Sequence, residues 1–537
     1  MIQTTLNRRL GTAALIVSGG VLLSRILGQL REIIFAALLG ADGITDQYVA
    51  AFRIPDFLNY LLAGGFLSIT FIPIFAKYLA DEDEEGGWAA LSAVLRPIGI
   101  GIVALVGIGF LAAPWVIETI YPEFSSAQVE ATVRLTRIVL PAQVFFVIGA
   151  LFSAVQYAKG VFTIPTIAPI VYNVGIIAGG LAYAQVTGSP DPEGFIWEAL
   201  AGAFVGNFAL QWWGARRVGM RLSLGVSWRH PALWTYLAIA LPLMLGQSIV
   251  VLDETFMSTF GGLVGEGAQT QLLYARRTMF VPIGVVAQAA GVAAYPFLAR
   301  LFAEGKTRLL ADTVDRTMRW VLALSILAAG AIASLSLPTI RVLFERSAFE
   351  PGDSVAAASA LFFYALAIPI WGGLQILTRA FYARRQMWTP VVVGTIATIL
   401  ALPTYWAMQR SFGLEGVAAA SVIALAGYTV ALGVIWYRAA DHRGRASVVA
   451  ASAGRTVPLA VIGGVTAWAA AAGTEAALGD SFLASVTTTL VGYSAYAVVA
   501  LAVAIALYEL TKVRTPENGM AEPAIEEAAL EQDGPND

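Results

Sequence analysis

Five arginines lie inside apolar stretches of the sequence, where a charged side chain is costly. They are Arg25, Arg31, Arg53, Arg276 and Arg277. A charge at the centre of a bilayer costs at least about 2.5–3.5 kcal/mol, so a retained one usually faces a polar cavity and has a function there. Guanidinium groups pair with phosphate and carboxylate oxygens at two points and stay charged at any physiological pH. The arginines therefore predict a cavity that binds an anion carrying phosphate groups.

Carboxylates in the same stretches supply an alternative, in which internal ion pairs neutralise the arginines. The acidic residues available for pairing are Glu32, Asp46, Asp56 and Asp253. They do not outnumber the arginines, and a carboxylate can also hold an arginine ready for substrate, so the two interpretations are compatible. Asp253, with Glu254 beside it, is also a hypothetical site for a coupling cation or proton, with structural pairing as the alternative.

The composition excludes most soluble activities. Hydrophobic residues make up 58% of the 537 residues and charged residues only 13%, whereas soluble domains carry about 25% charged residues. The net charge of −3 gives no basic excess for nucleic acid. The chain has no cysteine, and its two histidines, His230 and His442, lie far apart, which excludes disulfides and a zinc site of about four ligands. We expect a membrane protein that is not an enzyme, with no cofactor beyond a coupling cation or the membrane potential.

Apolar runs of about 20 residues, the length that crosses a bilayer, recur along the whole chain. Their approximate ranges are 11–39, 46–76, 88–117, 129–158, 163–186, 194–214, 232–261, 267–299, 317–340, 355–383, 388–409, 413–437, 456–473 and 482–510. The sequence therefore predicts an all-α, polytopic membrane protein with fourteen transmembrane helices.

Lysine and arginine concentrate in alternate connectors. If the N-terminus is cytoplasmic, the inside connectors hold most of them, and the outside connectors hold little beyond Arg341, Arg346 and Arg410. Because basic residues favour cytoplasmic loops, both termini are predicted to be cytoplasmic.

Two segments of the first half recur in the second half at nearly constant displacement. Tyr157 and Pro165 match Tyr382 and Pro390 at a displacement of 225, and Pro73 matches Pro296 at 223. At the second displacement Arg53 corresponds to Arg276. The repeat holds six helices, an even number, so both units cross the membrane in the same sense. This predicts two lobes related by a pseudo-two-fold axis along the membrane normal, with the substrate site between them.

The predicted organisation has four parts. They are an N-lobe of helices 1–6 (residues 1–230), a C-lobe of helices 7–12 (231–440), two added helices 13–14 (441–510) and a disordered acidic cytoplasmic tail (511–537). At about 1.5 Å per residue, Arg31, Arg53 and Arg276 lie about 10–15 Å below the outer ends of their helices. The arginines of both lobes therefore share one slab.

The chain resembles the MurJ/MviN family, the lipid II flippases of the MOP exporter superfamily. The most specific block is in helices 1 and 2: Ser24–Gly28, Arg31-Glu32, Gly40-Ala41, Thr45-Asp46 and Ala51–Pro55. Further matches are Ser68–Pro73, Ile164-Pro165, Ala168-Pro169, Asn173, Tyr274-Ala275, Arg277, Pro282, Arg379–Ala383 and Thr389-Pro390. The resemblance extends over most of the chain in unbroken order.

The resemblance implies two lobes around a cationic cavity, with the last two helices lining a groove for a polyprenyl tail. It also implies that Arg25, Arg31 and Arg277 match essential cavity arginines, with Glu32 at the acidic position. The implied function is transfer of lipid II, an undecaprenyl-pyrophosphate-linked peptidoglycan precursor, from the cytoplasmic to the outer leaflet of the bacterial inner membrane by alternating access. The expected partners are lipid II and membrane lipids, with no nucleic acid, and the chain is expected to be a monomer.

The chain departs from the family pattern in two places. Asn59-Tyr60 and Ala63-Gly64-Gly65 stand where members usually have an arginine pair and then Ala-Glu-Gly, and Arg276 replaces an acidic residue. The rearranged charge bears on substrate specificity, so an O-antigen-type polysaccharide flippase is the main alternative. A multidrug antiporter of the same superfamily is disfavoured because the arginines repel cations. A membrane-embedded glycosyltransferase using the same lipid is disfavoured because the outside connectors are short.

Overall fold

The computed structural model describes residues 2–62, 66–223, 228–438, 445–479 and 481–512, and this part of the chain is helical without strands. Eight helical stretches within it are long and apolar enough to cross a membrane. The chain is therefore a multi-pass, all-α membrane protein, as predicted. The predicted tail beyond residue 512, the departure at 63–65 and the connector around His442 lie outside the described residues.

The first half contains ten α-helices and one π-helical segment among its described residues. They are α1 (Ile2–Leu39), α2 (Gly43–Ala51), α3 (Arg53–Leu62), α4 (Phe66–Ala80), α5 (Glu84–Ile120), α6 (Ser126–Val139), α7 (Ala142–Ala158), α8 (Thr163–Thr187), α9 (Pro192–Gly202), π1 (Ala203–Ala209) and α10 (Leu210–Arg217). The predicted ranges 46–76, 129–158 and 194–214 are therefore interrupted. Hydropathy averaged over about 20 residues does not mark these breaks, because most of the residues around them are apolar.

The second half and the C-terminal pair continue the pattern. They are α11 (Pro231–Gly262), α12 (Ala268–Ile283), π2 (Gly284–Gln288), α13 (Ala289–Ala303), α14 (Thr307–Ser334), α15 (Ser336–Phe344), α16 (Pro351–Ala383), α17 (Trp388–Arg438), α18 (Arg445–Leu478) and α19 (Phe482–Lys512). The predicted range 317–340 starts ten residues too late, because the first turns of α14 are amphipathic rather than apolar. The range of α17 consists of two helices separated at Gly413, where φ is 57°, so the predicted ranges 388–409 and 413–437 are two helices, as predicted.

Polar caps fix where several helices begin. Asp42 accepts hydrogen bonds from the backbone N–H groups of Ile44 and Thr45, which begins α2. Asp83 accepts from Gly86 at the start of α5, and Ser125 forms a capping box with Gln128 at the start of α6. These side chains satisfy backbone donors that have no partner inside the helix. These caps therefore fix the N-termini of α2, α5 and α6.

The connectors gather at two ends. At one end, the backbone of Gly40 lies against Ala348, and Gly43 lies near Glu266. We call this the Asp46 end; it holds the connectors 40–42, 121–125, 188–191, 263–267 and 345–350. At the opposite end, the Glu84 end, Glu84 pairs with Lys159. This end holds 81–83, 159–162, 304–306 and 384–387.

Each half has its own apolar core. Phe71, Trp88 and Phe152 belong to a core of the first half, whereas Tyr274 and Phe344 belong to that of the second. Helix α11 joins the two, because its early residues Tyr236 and Ala240 pack into the first core and Met257 packs into the second. Large apolar side chains such as Leu111 and Leu400 are exposed on the outside of the long helices, as expected of surfaces that face lipid.

Helices α18 and α19 pack against each other and against the second half. Leu335, Ala467 and Tyr496 form a small shared core, and the Tyr496 hydroxyl donates a hydrogen bond to the carbonyl oxygen of Leu327 at 2.7 Å. An ion pair between Arg341 and Glu475 joins α15 to α18 near the Asp46 end. The pair predicted as an addition to the repeat is therefore attached to the second half.

Candidate functional site

Glu32 lies between two of the predicted arginines. Arg31 donates to Oε1 of Glu32 from Nε at 3.1 Å and from Nη2 at 2.7 Å. Nη1 of Arg277 forms an ion pair with the same oxygen. Arg31 and Glu32 belong to α1 and Arg277 to α12, so one carboxylate joins the two halves. We call Arg31, Glu32 and Arg277 the Glu32 triad; two positive charges and one negative charge give it a net charge of +1.

The arginines of the Glu32 triad are accessible and held in place. The side chain of Arg31 is 21% exposed and that of Arg277 is 38% exposed, whereas Glu32 is 10% exposed. Asn173 of α8 accepts a hydrogen bond from Nη1 of Arg31 at 3.2 Å and donates one to the carbonyl oxygen of Pro169. A search for charged residues does not predict Asn173 as a site residue, because its side-chain amide is neutral.

Arg25 also contacts the second half. It lies six residues before Arg31 on α1. A Cβ atom added to Gly284, the first residue of π2, would lie 2.0 Å from Nη1 of Arg25. The guanidinium therefore lies against the helix backbone at a position where glycine leaves the room for it. Arg25, Arg31 and Arg277 consequently lie along the same boundary between the halves.

A second carboxylate, Glu254 of α11, lies between the other two predicted arginines. Oε2 of Glu254 is 3.8 Å from Nη1 of Arg53, and its Oε1 is 3.9 Å from Nε of Arg276. Both distances exceed hydrogen-bond length, so this arrangement is looser than the Glu32 triad. Arg53 also pairs with Asp56 at 3.5 Å. The two arginines that correspond in the sequence repeat thus approach the same carboxylate, which sequence analysis noted only as a neighbour of Asp253.

Asp253 is surrounded by donors from the second half. Nη1 of Arg276 donates to Oδ2 at 2.6 Å, the Tyr405 hydroxyl donates to Oδ1 at 2.7 Å, and the Ser421 hydroxyl lies within 3.2 Å of both oxygens. Arg276 itself is only 3% exposed. Asp253 is therefore paired with Arg276 in this structure. Structural pairing of this kind is the alternative to a coupling-cation site at Asp253.

Asp46, which sequence analysis offered as a partner for an arginine, accepts hydrogen bonds from the other half instead. Its donors are the backbone N–H of Gly267 at 2.7 Å, the backbone N–H of Thr270 at 3.0 Å and the Thr270 hydroxyl at 2.7 Å. These groups form the first turn of α12, where unpaired N–H groups and the helix dipole favour a negative charge. The buried carboxylate of Asp46 therefore caps a helix of the second half from within the first.

Further contacts join the halves at the Asp46 end. The hydroxyls of Tyr121 and Ser258 lie 2.8 Å apart, and Ser258 donates to Gln269 at 2.7 Å. The backbone N–H of Ala348 donates to the carbonyl oxygen of Ala37 at 3.2 Å. The two halves are thus closed against each other at this end, with the Glu32 triad deeper along the same boundary.

The charges at the boundary between the halves leave a positive surplus. The five arginines carry +5, and Glu32, Asp56, Asp253 and Glu254 carry −4, which leaves a surplus of +1 at the boundary. Among the residues that the structure describes, no group of three or more histidine or carboxylate side chains is placed to hold a metal ion. The surplus is on accessible guanidiniums, which suit the oxygens of a phosphate group.

The fold is that of a membrane transporter whose two halves bring their arginines to a shared boundary. A family model described as "Lipid II flippase MurJ" matches residues 35–487, and the chain belongs to that family. A probable lipid II flippase MurJ of Rhizobium meliloti is 28% identical over 414 residues, which cover 76% of this chain and 77% of the relative. A lipid II flippase MurJ of Burkholderia cenocepacia is 28% identical over 388 residues, 71% of this chain and 75% of the relative.

Solved structures show the same fold. A lipid II flippase MurJ in an inward closed conformation superposes with a TM-score of 0.73 at 20% identity and covers 92% of this chain and 100% of its own. An inward-facing multidrug resistance transporter of the MATE family, in the MOP superfamily, superposes with a TM-score of 0.62 at 16% identity, covering 80% of this chain and 95% of its own.

Proposed function

We propose that this chain transfers lipid II from the cytoplasmic to the outer leaflet of the bacterial inner membrane. The observation that carries the proposal is the Glu32 triad, in which two accessible guanidiniums from opposite halves share one carboxylate and keep a net positive charge. A pyrophosphate offers several oxygens to two such groups at once. The curated relatives in the same family are named as lipid II flippases.

In the proposed complex, Arg25, Arg31 and Arg277 hold the pyrophosphate, and Glu32 gives up its bonds to them as it binds. Arg53 and Arg276 complete the cation set of the cavity; both are nearly buried here, so substrate reaches them only after Glu254 moves. A coupling cation at Asp253 has to replace the guanidinium of Arg276. The membrane potential is the alternative source of energy.

The proposed architecture has fourteen transmembrane helices in two six-helix lobes related by a two-fold axis along the membrane normal. It is supported by the helices that lie over all fourteen predicted ranges and by the approach of Arg53 and Arg276 to one carboxylate. The Asp46 end faces outward and both termini are cytoplasmic. The polyprenyl tail lies along α18 and α19. Rocking of the two lobes carries the headgroup of the substrate across the membrane, and the chain acts as a monomer.

A polysaccharide flippase of the same superfamily is the second candidate. It is favoured by Arg276, which stands where family members usually have an acidic residue and so changes the charges around the substrate. The chemistry of its substrate anchor is the same as that of lipid II, so the triad fits both. A multidrug antiporter shares the fold, but a boundary with surplus arginine charge repels organic cations.

Complementation tests the proposal. The chain is expressed in a bacterium depleted of its own flippase, and the amount of lipid II accessible at the outer leaflet is measured. We expect the native chain to restore accessibility and Arg31→Ala or Arg277→Ala to abolish it, with partial rescue by lysine, which keeps the charge but loses the planar two-point contact. Arg410→Ala is the matched control, because Arg410 stacks on Trp406 close to the break at Gly413, away from the triad.

Two results would contradict the proposal. The first is a chain that inserts normally into the membrane but does not flip lipid II. If that chain instead restores flipping of a lipid-linked polysaccharide, the second candidate is favoured. The other is full flipping by both Arg31→Ala and Arg277→Ala, which would exclude the triad as the pyrophosphate site.

A further inference from the structure

A second polar site lies on the outer surface of the first half, away from the boundary between the halves. Helices α5, α6 and α9 enclose a groove of about 740 Å³ near the Asp46 end. Phe110, Trp197 and Leu200 form its apolar walls. A groove that faces only lipid acyl chains needs only an apolar lining. Charged groups inside it therefore indicate a ligand with polar groups.

Three charged residues lie on the face of α6 that lines the groove. Glu130, Arg134 and Arg137 are spaced at i, i+4 and i+7, which places them on one side of the helix. Arg137 donates from Nε to the carbonyl oxygen of Phe110 at 3.1 Å and stacks over the Phe110 ring. This fixes the guanidinium plane and leaves Nη1 and Nη2 without a hydrogen-bond acceptor among the described residues.

The other two charges are also available to a ligand. Arg134 pairs through Nη2 with Glu193 of α9 at 3.0 Å, yet its side chain is 65% exposed. Glu130, one turn from Arg134, forms no ion pair with any residue that the structure describes, and it is exposed. The groove thus presents two cationic groups and one free carboxylate in a row along α6.

The depths of these residues match the layers of a bilayer surface. The exposed Trp115 and Trp197 lie about 7 Å from the ends of α5 and α9 at 1.5 Å per residue, and tryptophan marks the headgroup level. From the start of α6, Glu130 lies about 6 Å deep, Arg134 about 12 Å and Arg137 about 16 Å. The carboxylate is therefore at the headgroup level and the guanidiniums are below it.

We propose that this groove binds one phospholipid with an ethanolamine headgroup, from the leaflet at the Asp46 end. Its phosphate accepts hydrogen bonds from Arg134 and Arg137, and its ammonium pairs with Glu130. In such a lipid the ammonium lies further out than the phosphate, which is the order of the charges along α6. The acyl chains follow the apolar walls toward the middle of the membrane.

The charge balance favours this lipid over an anionic one. Arg134 and Arg137 carry +2, and Glu130 and Glu193 carry −2, so the site is neutral overall. A purely anionic headgroup meets the guanidiniums but leaves Glu130 facing a negative charge. A choline headgroup has a cation without N–H donors, which forms a weaker pair with a carboxylate.

Lipid titration of the purified, delipidated full chain tests the proposal. Phosphatidylethanolamine, phosphatidylglycerol and phosphatidylcholine with identical acyl chains are added separately, the melting temperature is recorded, and retained lipid is identified by native mass spectrometry. We expect phosphatidylethanolamine to raise the melting temperature at the lowest concentration. Arg137→Gln should raise that concentration about tenfold, the loss of one hydrogen bond from a charged donor.

Companion variants separate the contributions of the two charges. Arg134→Gln tests the phosphate contact at an exposed position, where a folding defect does not obscure the result. Glu130→Gln should remove the preference for phosphatidylethanolamine over phosphatidylglycerol while keeping binding of both. Arg410→Gln, an arginine stacked on Trp406 in the second half, is the control and should change nothing.

Equal or tighter binding of phosphatidylglycerol by the native chain would overturn the headgroup assignment. Unchanged binding in both Arg134→Gln and Arg137→Gln would show that the groove is not the site. Transport of lipid II does not enter these measurements, so they stand whatever the outcome of the complementation experiment.

Discussion

Replacing Asp46 with asparagine should loosen the closure of the two halves at the Asp46 end. The asparagine carbonyl can still accept from Thr270, but its amide nitrogen then faces the backbone N–H of Gly267, which Asp46 now binds at 2.7 Å. The loss is one hydrogen bond to a charged acceptor, about 1.5–3 kcal/mol, and the attraction of the carboxylate to the α12 dipole, about 0.3–1 kcal/mol. A total of about 2 kcal/mol or more shifts the open-to-closed ratio about 30-fold.

Distance measurement between spin labels detects this shift. The chain has no native cysteine, so labels can be attached to Ile44→Cys in the first half and Val264→Cys in the second, both exposed at the Asp46 end. We expect one short distance in the parent and an added population of longer distances in Asp46→Asn. Thr270→Val, which removes only the hydroxyl bond, should give a smaller shift.

Identical distance distributions for the parent and Asp46→Asn would refute this reasoning. The closure would then depend on other contacts, such as the hydrogen bond between Tyr121 and Ser258. A larger effect of Thr270→Val than of Asp46→Asn would also contradict it, because the charge of the carboxylate would not be the main contribution.

Further predictions concern stability and the tail. Arg31→Ala should lower the free energy of unfolding by only about 1–2 kcal/mol, because Glu32 keeps Arg277, and a larger loss than in Glu32→Gln would contradict the shared carboxylate. Arg276→Gln should lower the free energy of unfolding by about 3–5 kcal/mol, because it leaves Asp253 without its cation. Adding Asp253→Asn to the same chain should recover much of that stability, and thermal unfolding that shows no recovery would argue against the pair. Gly149→Ala should destabilise by about 1–3 kcal/mol, since its Cβ would lie 1.6 Å from the carbonyl oxygen of Asn207, whereas Gly99→Ala, with open space around it, should not. Removal of residues 513–537 should leave lipid II accessibility unchanged in the complementation assay, and its loss at normal expression would show that the tail has a function.

Hydropathy predicts where this chain is helical, because each long apolar run has to satisfy its backbone groups within itself. It does not predict the interruptions inside a run. The break at Gly413, beside Arg410, is predicted, whereas the break between α2 and α3 at Phe52 and the π-helical turns at 203–209 and 284–288 all lie inside single predicted runs. Their positions depend on packing against other helices, such as the contact between Gly284 and Arg25, which a single window of sequence does not contain.

The charged residues of the site could be predicted by type and depth but not by partner. The sequence shows that the carboxylates do not outnumber the arginines, and in the structure Glu32 lies between two of those arginines. The same count could not assign Asp46 to the first turn of α12 or place Glu254 between Arg53 and Arg276. Those pairings cross from one half to the other, and their geometry depends on how the two halves meet.

The position of Glu32 has a consequence for turnover under the proposed function. Because its Oε1 already occupies both guanidiniums, an arriving pyrophosphate exchanges with a resident competitor instead of entering an empty site. That exchange weakens net affinity, and the return of the carboxylate speeds dissociation of the product. The rate of the transport cycle is limited by the slower of substrate capture and product dissociation. A chain lacking this carboxylate would therefore bind its substrate more tightly and release it more slowly.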